Sequence, residues 1–418
     1  MLNCLIDMND INNKINSSKH DEFMFDKHKV TQVIDKDLKQ KKIFHDGVQR
    51  RYLIYLPSGL SSKESVPLVF NFHGFGDSAE GQLFLSDWRS LSEEFGFILI
   101  YPQGLQLPTG GSHWNPDPNS FGGKSSSDDL GFVRRMVKRS IRKYSVDPSR
   151  VYATGFSNGA GMAYGLAHHE SEMVAAIAPV SGLVNVENLD HETATNPVGL
   201  ISFNGTDDWI RPIDGVSGYL ASANEASNYW ANINNSPQNQ INQFEQASTN
   251  FVQERNFSRV DGTTTVKQYV VNGGGHDWFD LEINGRNLDE LAWDFLSDFR
   301  KIDGRLVPIN ALAIAIRAPR RFKRKSVDII TDFNPSVDVL EVDTDSFDVV
   351  NPANFAVAAN KKMLKRRLAK QDFSFLYNQK KGELFFNENG VDKGFGDGGI
   401  IAILKGAPDL TVNNLNFV

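Results

Sequence analysis

Val151-Tyr152-Ala153-Thr154-Gly155-Phe156-Ser157-Asn158-Gly159-Ala160-Gly161-Met162-Ala163 is the stretch that decides the fold. It opens as a short β-branched and aromatic run, the signature of a buried strand, and continues as a helix of small residues. Between them stands Gly155-Phe156-Ser157-Asn158-Gly159, a Gly-x-Ser-x-Gly turn. In that setting the pattern predicts a nucleophile elbow. The glycines lack a Cβ, so strand and helix can approach closely while the turn holds Ser157 in a strained conformation. The turn lifts the serine hydroxyl out of the sheet and points the helix N-terminus at the place where chemistry occurs. The pentapeptide by itself is weak, and a plain tight strand–helix turn is the competing reading.

Outward from the elbow, short apolar runs alternate with helical patterns. Arg51 to Pro57, Val66 to Phe72 and Phe97 to Pro102 read as strands. Ser127-Asp128-Asp129 reads as the cap of a helix whose Leu130, Val133, Val137 and Ile141 follow helical spacing. After the elbow come strands at Val174 to Val180 and Val198 to Phe203, a helix around Leu220 to Trp230 and a polar stretch from Asn234 to Gln253 read as a surface excursion. A strand at Val266 to Val271 and a helix from Leu288 to Phe299 close the unit. This alternation predicts a mostly parallel sheet with helices on both faces, hence an α/β fold. Active sites in such sheets lie beyond the carboxyl ends of the strands.

Two strand ends supply candidate partners for Ser157. The strand ending at Phe203 runs into Asn204-Gly205-Thr206-Asp207-Asp208-Trp209, where a carboxylate can orient a histidine. Asp208 and Asp207 are the candidates there, Asp208 ranked first only by the family resemblance given below and Asp207 the runner-up, with both as turn residues the alternative. The strand ending at Val271 runs into Asn272-Gly273-Gly274-Gly275-His276-Asp277-Trp278, which makes His276 the candidate general base. The order Ser157, Asp208, His276 is the nucleophile–acid–histidine order of α/β-hydrolases. His168, His169 and His191 read as surface residues. An oxyanion needs donors, and the Asn158 amide directly after the serine is one. The loop His73-Gly74-Phe75-Gly76-Asp77 supplies the second, from Phe75 with Gly76 next, while His73 holds the loop. Phe75, Trp114, Phe156, Trp209 and Trp278 are aromatics able to line a pocket. Trp114, Trp278 and Trp209 are the expected substrate-binding residues, with core packing as the alternative.

Composition bounds the rest. The chain has 418 residues, which is room for two or three domains. A net charge of -7 argues against nucleic acid as the main partner. The single cysteine, Cys4, permits no intrachain disulfide. No apolar run is long enough for a transmembrane segment, and the first residues lack the basic and apolar regions of a cleavable secretory signal.

Residues from about Arg51 to Phe299 resemble the polyhydroxybutyrate depolymerase and feruloyl esterase family of α/β-hydrolases. The resemblance rests on His73-Gly74, Trp114-Asn115, Asp128-Asp129-Leu130-Gly131-Phe132, Val146-Asp147-Pro148-Ser149-Arg150-Val151-Tyr152, Gly205-Thr206-Asp207-Asp208 and Gly274-Gly275-His276-Asp277-Trp278. It implies a serine esterase with an ester substrate, no metal or organic cofactor, and Asp208 as the acid. The sequence departs from the family at Asn204, where histidine is usual, which is expected to alter loop packing more than the triad. A non-catalytic binding protein on the same fold, a peptidase or an acyltransferase are the alternatives.

Residues 1–45 read as a polar leader, 46–304 as the esterase domain and 305–326 as a basic linker around Arg317 to Lys325. Residues 327–418 form a β-rich domain with a helix around Phe355 to Leu368. This tail resembles the carboxy-terminal region of haemolysin-type calcium-binding secreted proteins, which carries an uncleaved type I secretion signal. The resemblance implies an extracellular protein exported by type I secretion machinery, with a cytoplasmic location as the alternative. The tail lacks those proteins' glycine–aspartate nonapeptide repeats, which leaves calcium binding open.

Overall fold

The computed structural model describes residues 38–60, 65–117, 125–190, 194, 196–246, 251–309, 313–331, 333–335, 338–349, 354–367, 372–392 and 394–417. The leader up to residue 37, with Cys4, and His191 lie outside the described residues.

The hydrolase part is built on one ten-stranded sheet. Its strands are β1 (Leu38–His45), β2 (Val48–Tyr55), β3 (Val66–Phe72), β4 (Ile98–Pro102), β5 (Val146–Phe156), β6 (Ala176–Val180), β7 (Gly199–Gly205), β8 (Gln238–Glu245), β9 (Phe251–Ser258) and β10 (Thr264–Val271). In space they run β1-β2-β4-β3-β5-β6-β7-β10-β9-β8. From β4 to β10 all neighbours are parallel, while β1–β2, β2–β4, β10–β9 and β9–β8 are antiparallel. Crossover helices put strand ends with chemistry side by side, and the order is that of the α/β-hydrolase fold.

The central strands are apolar on both faces because helices cover both. On one side Leu68, Phe70, Phe72, Ile98 and Ile100 pack with Phe132, Val133, Met136, Met162 and Trp230. These come from α3 (Asp129–Tyr144), α4 (Asn158–His169) and α6 (Ala223–Ile233). On the other side Val69, Leu99 and Tyr101 pack with Leu83, Leu91, Trp293 and Phe295. Those belong to α1 (Ala79–Leu85), α2 (Arg89–Phe95) and α7 (Leu288–Ser297). The short α5 (Val186–Asp190) follows β6. Caps set the helix starts: the Asp128 side chain accepts from the Gly131 N–H at 2.7 Å, and Ser222 with Glu225 and Asn287 with Glu290 form capping boxes.

Several expectations change. Leu38–His45 is a strand and not the end of a leader; it reads as polar because it is a sheet edge with Lys39, Gln40, Lys42 and Phe44 turned toward solvent. The described part of Asn234 to Gln253 is not a loose surface excursion. It holds β8 and the start of β9, an antiparallel hairpin that extends the sheet beyond β10. The expected 305–326 linker also dissolves. Arg305–Pro308 pairs with Phe299–Ile302 as a hairpin, and Ala313–Ile316 is already a strand of the last domain, parallel to Val339–Val342.

That last domain is β-rich, as expected. Ala313–Ile316, Val339–Val342 and Leu415–Phe417 form one sheet; Asp328–Ile330, Gly399–Leu404, Glu383–Phe386, Phe375–Asn378 and Phe355–Ala358 form another. Ile316, Leu340, Phe347, Phe375, Tyr377, Leu384 and Ile401 make its own core. Phe355 to Leu368 is not a continuous helix: the strand Phe355–Ala358 comes first, then a helix at Lys361–Arg367. The basic run sits on this domain's surface, where Arg317 pairs with Asp343 at 3.4 Å and Arg324 pairs with Glu383.

Candidate active site

Ser157 stands between β5 and α4 with φ 53° and ψ -112°, a region an L-residue occupies only at a cost of about 1–3 kcal/mol. Close packing holds it there. A Cβ on Gly155 would lie 2.7 Å from the Gly159 carbonyl carbon, and one on Gly159 would lie 2.2 Å from the Phe72 carbonyl oxygen. Neither space admits a methyl group, which is why the flanking residues are glycines.

The ends of β7 and β10 bring Asp208 and His276 to this turn. His276 Nε2 lies 2.9 Å from Ser157 Oγ, and His276 Nδ1 lies 2.8 Å from Asp208 Oδ2. A carboxylate accepts only, so Nδ1 carries the proton and Nε2 accepts from the serine hydroxyl. Asp208 is almost fully buried, and its other oxygen accepts from the Ile210 and Arg211 amides at 2.9 and 2.7 Å. Burial pushes its carboxyl up, but the His276 hydrogen bond and charge and these two amides outweigh that, so it sits below the ordinary carboxylate value. Asp207 points elsewhere: its carboxylate accepts from Thr206 Oγ1, and its amide donates to the Gly274 carbonyl. The histidine loop is further tied by Gly273 N–H to Thr206 Oγ1 at 2.9 Å and by Ser181 Oγ to the Asp277 carbonyl at 2.6 Å. Sequence reading missed Ser181, whose one signal is its place at the end of β6.

The facing loop follows β3. The Gly76 amide donates to the Ser112 carbonyl at 2.8 Å, so of the two loop residues considered as second oxyanion donor Gly76 is already engaged. Asn158 opens α4, where a first-turn N–H has no partner within the helix. His73 is fully buried. The Gly104 N–H donates to its Nε2 at 3.0 Å, so Nδ1 donates to the Gly74 carbonyl at 2.7 Å. Burial pushes its pKa down to about 4, and the neutral ring fixes the loop as expected.

The aromatics divide. Trp114 does not line a pocket: it is 1% exposed, its ring packs on His73 and Phe72, and its indole donates to the His73 carbonyl at 2.9 Å. Trp278 is half-buried, donates to Asp289 at 2.9 Å and packs on Phe156, which in turn lies 4.9 Å from the His276 ring. Trp209 is 60% exposed and Phe75 48%. Asn204, the departure noted above, is buried and donates to the Gly182 carbonyl at 3.2 Å. His168 is no surface residue: it is 1% exposed and stacks on Tyr229, because the small-residue helix α4 packs on both sides. His169 is partly buried and lies 3.8 Å from Asp117. Among the described residues, no group of three or more His, Cys, Asp or Glu side chains is arranged to hold a metal ion. None of their helices is long and apolar enough to cross a membrane.

Curated relatives are esterases by name. Feruloyl esterase B of Piromyces equi is 28% identical over 274 residues, 60% of this chain and 45% of that protein. A bifunctional acetylxylan esterase/xylanase of Neocallimastix patriciarum is 27% identical over 274 residues, 63% of this chain and 35% of that protein. This chain thus spans less than half the length of either. Among solved structures, the acetyl xylan esterase from Aspergillus awamori aligns with a TM-score of 0.43 and 20% identity, over 62% of this chain and 98% of that one. The family described as esterase PHB depolymerase matches residues 50–203, a span holding the loop after β3, the elbow and the strand that leads to Asp208.

Proposed function

We propose that the chain is a carboxylic ester hydrolase that works through an acyl-enzyme on Ser157. The observation that carries this reading is the unbroken relay from Ser157 Oγ to His276 Nε2 and from His276 Nδ1 to Asp208, set on a strained strand–helix turn. Ser157 attacks the ester carbonyl while His276 takes its proton. Asp208, kept ionised, fixes the ring and stabilises the imidazolium. The Asn158 and Phe75 amides receive the oxyanion. His276 returns the proton to the leaving alcohol, then draws a proton from water, which releases the acid. Every proton and bond in this cycle is handled by side chains and amides, so no cofactor is called for. Trp209, Phe75, Phe156 and Trp278 surround the acyl group in this reading. The names of the relatives favour acetyl or hydroxycinnamoyl esters of carbohydrates over hydroxyalkanoate polyesters. The β-rich domain serves export by a type I route, and the enzyme acts outside the cell.

Ser157→Ala is the test. It should lower p-nitrophenyl acetate hydrolysis by about 10⁴-fold or more and abolish labelling by a fluorophosphonate. A folded Ser157→Ala protein that hydrolyses or labels normally overturns the mechanism. A panel of feruloyl, acetyl-xylan and hydroxybutyrate esters sorts the substrate class.

A further inference from the structure

Trp114-Asn115 is buried, yet it touches both walls of the site. On one side Asn158 grips the Trp114 backbone with its whole side-chain amide: Oδ1 accepts from the Trp114 N–H at 2.7 Å, and Nδ2 donates to the Trp114 carbonyl at 3.2 Å. On the other side the Trp114 indole donates to the His73 carbonyl at 2.9 Å, with its ring 4.9 Å from the His73 ring. Two residues earlier, Ser112 accepts from the Gly76 amide and donates from its hydroxyl to the Asp77 carbonyl. The segment itself is anchored from below. The Asn115 amide donates to Asp129 Oδ2 at 2.8 Å, and Asp129 Oδ1 meets Arg50 at 2.6 Å, both side chains buried. The Asn115 side chain donates to the Ser125 and Ser127 carbonyls at 2.8 and 3.1 Å. One short stretch therefore links the loop after β3, the first residue of α4 and the start of α3.

We propose that Trp114, together with the side chain of Asn158, is a positioning bridge that sets the separation of the two oxyanion donors. This rests on the reading of Ser157 as nucleophile. The physical case is one of constraint. The Phe75 and Asn158 amides sit on different elements, and nothing in either element alone fixes the distance between them. The Asn158 side chain holds the Trp114 backbone and the Trp114 indole holds the His73 backbone, so neither wall moves without breaking a buried hydrogen bond. Such bonds are costly to leave unmade. Donors for an oxyanion act through alignment that is worth more in the transition state than in the ground state. Loosening the bridge should therefore lower kcat and leave KM nearly unchanged.

Two variants test this. Trp114→Phe keeps an aromatic ring in place and loses the indole donor together with part of the ring's volume. Asn158→Ala keeps the backbone amide and loses the grip on Trp114. Each should reduce kcat for p-nitrophenyl acetate by about 10- to 100-fold with KM within about 2-fold. The inhibition constant of phenylboronic acid, whose tetrahedral adduct on Ser157 mimics the oxyanion, should weaken by a similar factor. A merely structural role would lower the melting temperature without this matched loss of kcat and boronate affinity. Wild-type kcat and boronate affinity in both variants would overturn the bridge, as would a raised KM at constant kcat, which would make Trp114 a substrate contact after all. If Ser157→Ala retains activity, the hydrolase reading itself fails, and that outcome is separate from either of these.

Discussion

Gly159→Ala should damage this protein far more than Gly161→Ala, two residues along the same helix. An added Cβ at Gly159 falls 2.2 Å from the Phe72 carbonyl oxygen and 2.6 Å from that of His73. Both obstacles are backbone atoms, one at the end of β3 and one in the loop after it, and no side chain can swing aside. Restoring ordinary contact opens the gap between α4 and β3 by ~1 Å. Overpacking of that kind costs about 3 kcal/mol, which lowers the melting temperature of the hydrolase unit by roughly 6–12 °C. It also carries the Asn158 amide ~1 Å from its place, worth about 10²-fold in kcat. At Gly161 the nearest atom to an added Cβ is the Leu183 carbonyl oxygen at 4.0 Å. Alanine there should be neutral or stabilising by about 0.5–1 kcal/mol through its better helix propensity. Thermal melts and p-nitrophenyl acetate kinetics on the pair read both effects. A Gly159→Ala protein that melts and turns over like the parent would refute the account of the elbow as a packing-enforced strain.

Other outcomes follow from the same geometry. Asp208→Asn should cost about 10⁴-fold in kcat, because the amide favours the wrong imidazole tautomer; Asp207→Asn should cost little, and the reverse ranking would move the acid by one residue. His73 and His168 are both held neutral by burial, with pKa pushed down from 6.5 to about 4. Above pH 6.5 neither state binds the extra proton; between 6.5 and 4 only the unfolded chain does, so stability falls as pH falls, by up to roughly 3 kcal/mol apiece. The urea midpoint should drop from pH 7 to pH 5, and a flat profile would refute the assignment. Cutting the chain after Ile309 should leave an active hydrolase that stays inside the producing cell. A cut at Arg317 strands Ala313–Ile316 without its partner strand and should aggregate more. Activity in medium and lysate separates these cases, and export of either truncated chain would place the signal elsewhere.

What the sequence made legible was whatever depends on local chemistry. The elbow is one example, since Gly155 and Gly159 announce a close approach that no other residue allows. His276 and the pair Asp207–Asp208 were within reach for a related reason: they follow apolar runs, and parallel sheets gather strand ends, while Asp208 stood ahead of Asp207 through the family resemblance alone. Partners set by distant packing were not legible. Trp114 looks like a pocket residue beside Asn115, and only the fold shows Asn158 and His73 closing over it. Edges misled in the same way. β1 and β8 are rich in Lys, Gln and Asn because one flank and much of one face meet water, and such strands lack the alternation by which strands are recognised. His168 sat on a helix with too many small residues for its burial on both sides to be apparent.

The strand order also sets a clock. Ser157 and His276 are 119 positions apart, and β10 joins the sheet between β7 and β9, with Val271 opposite Gly205. On a ribosome adding about 5–20 residues each second, the serine emerges roughly 6–24 s before its base. During that interval β3, β5 and α4 can assemble the elbow with nothing to draw off the serine's proton. On the reading of Ser157 and His276 as a catalytic pair, ester cleavage appears only once β10 has docked beside β7. In refolding, it reports the docking of the far side of the sheet, while fluorescence from Trp88 and Trp114 reports the earlier closing of the near side.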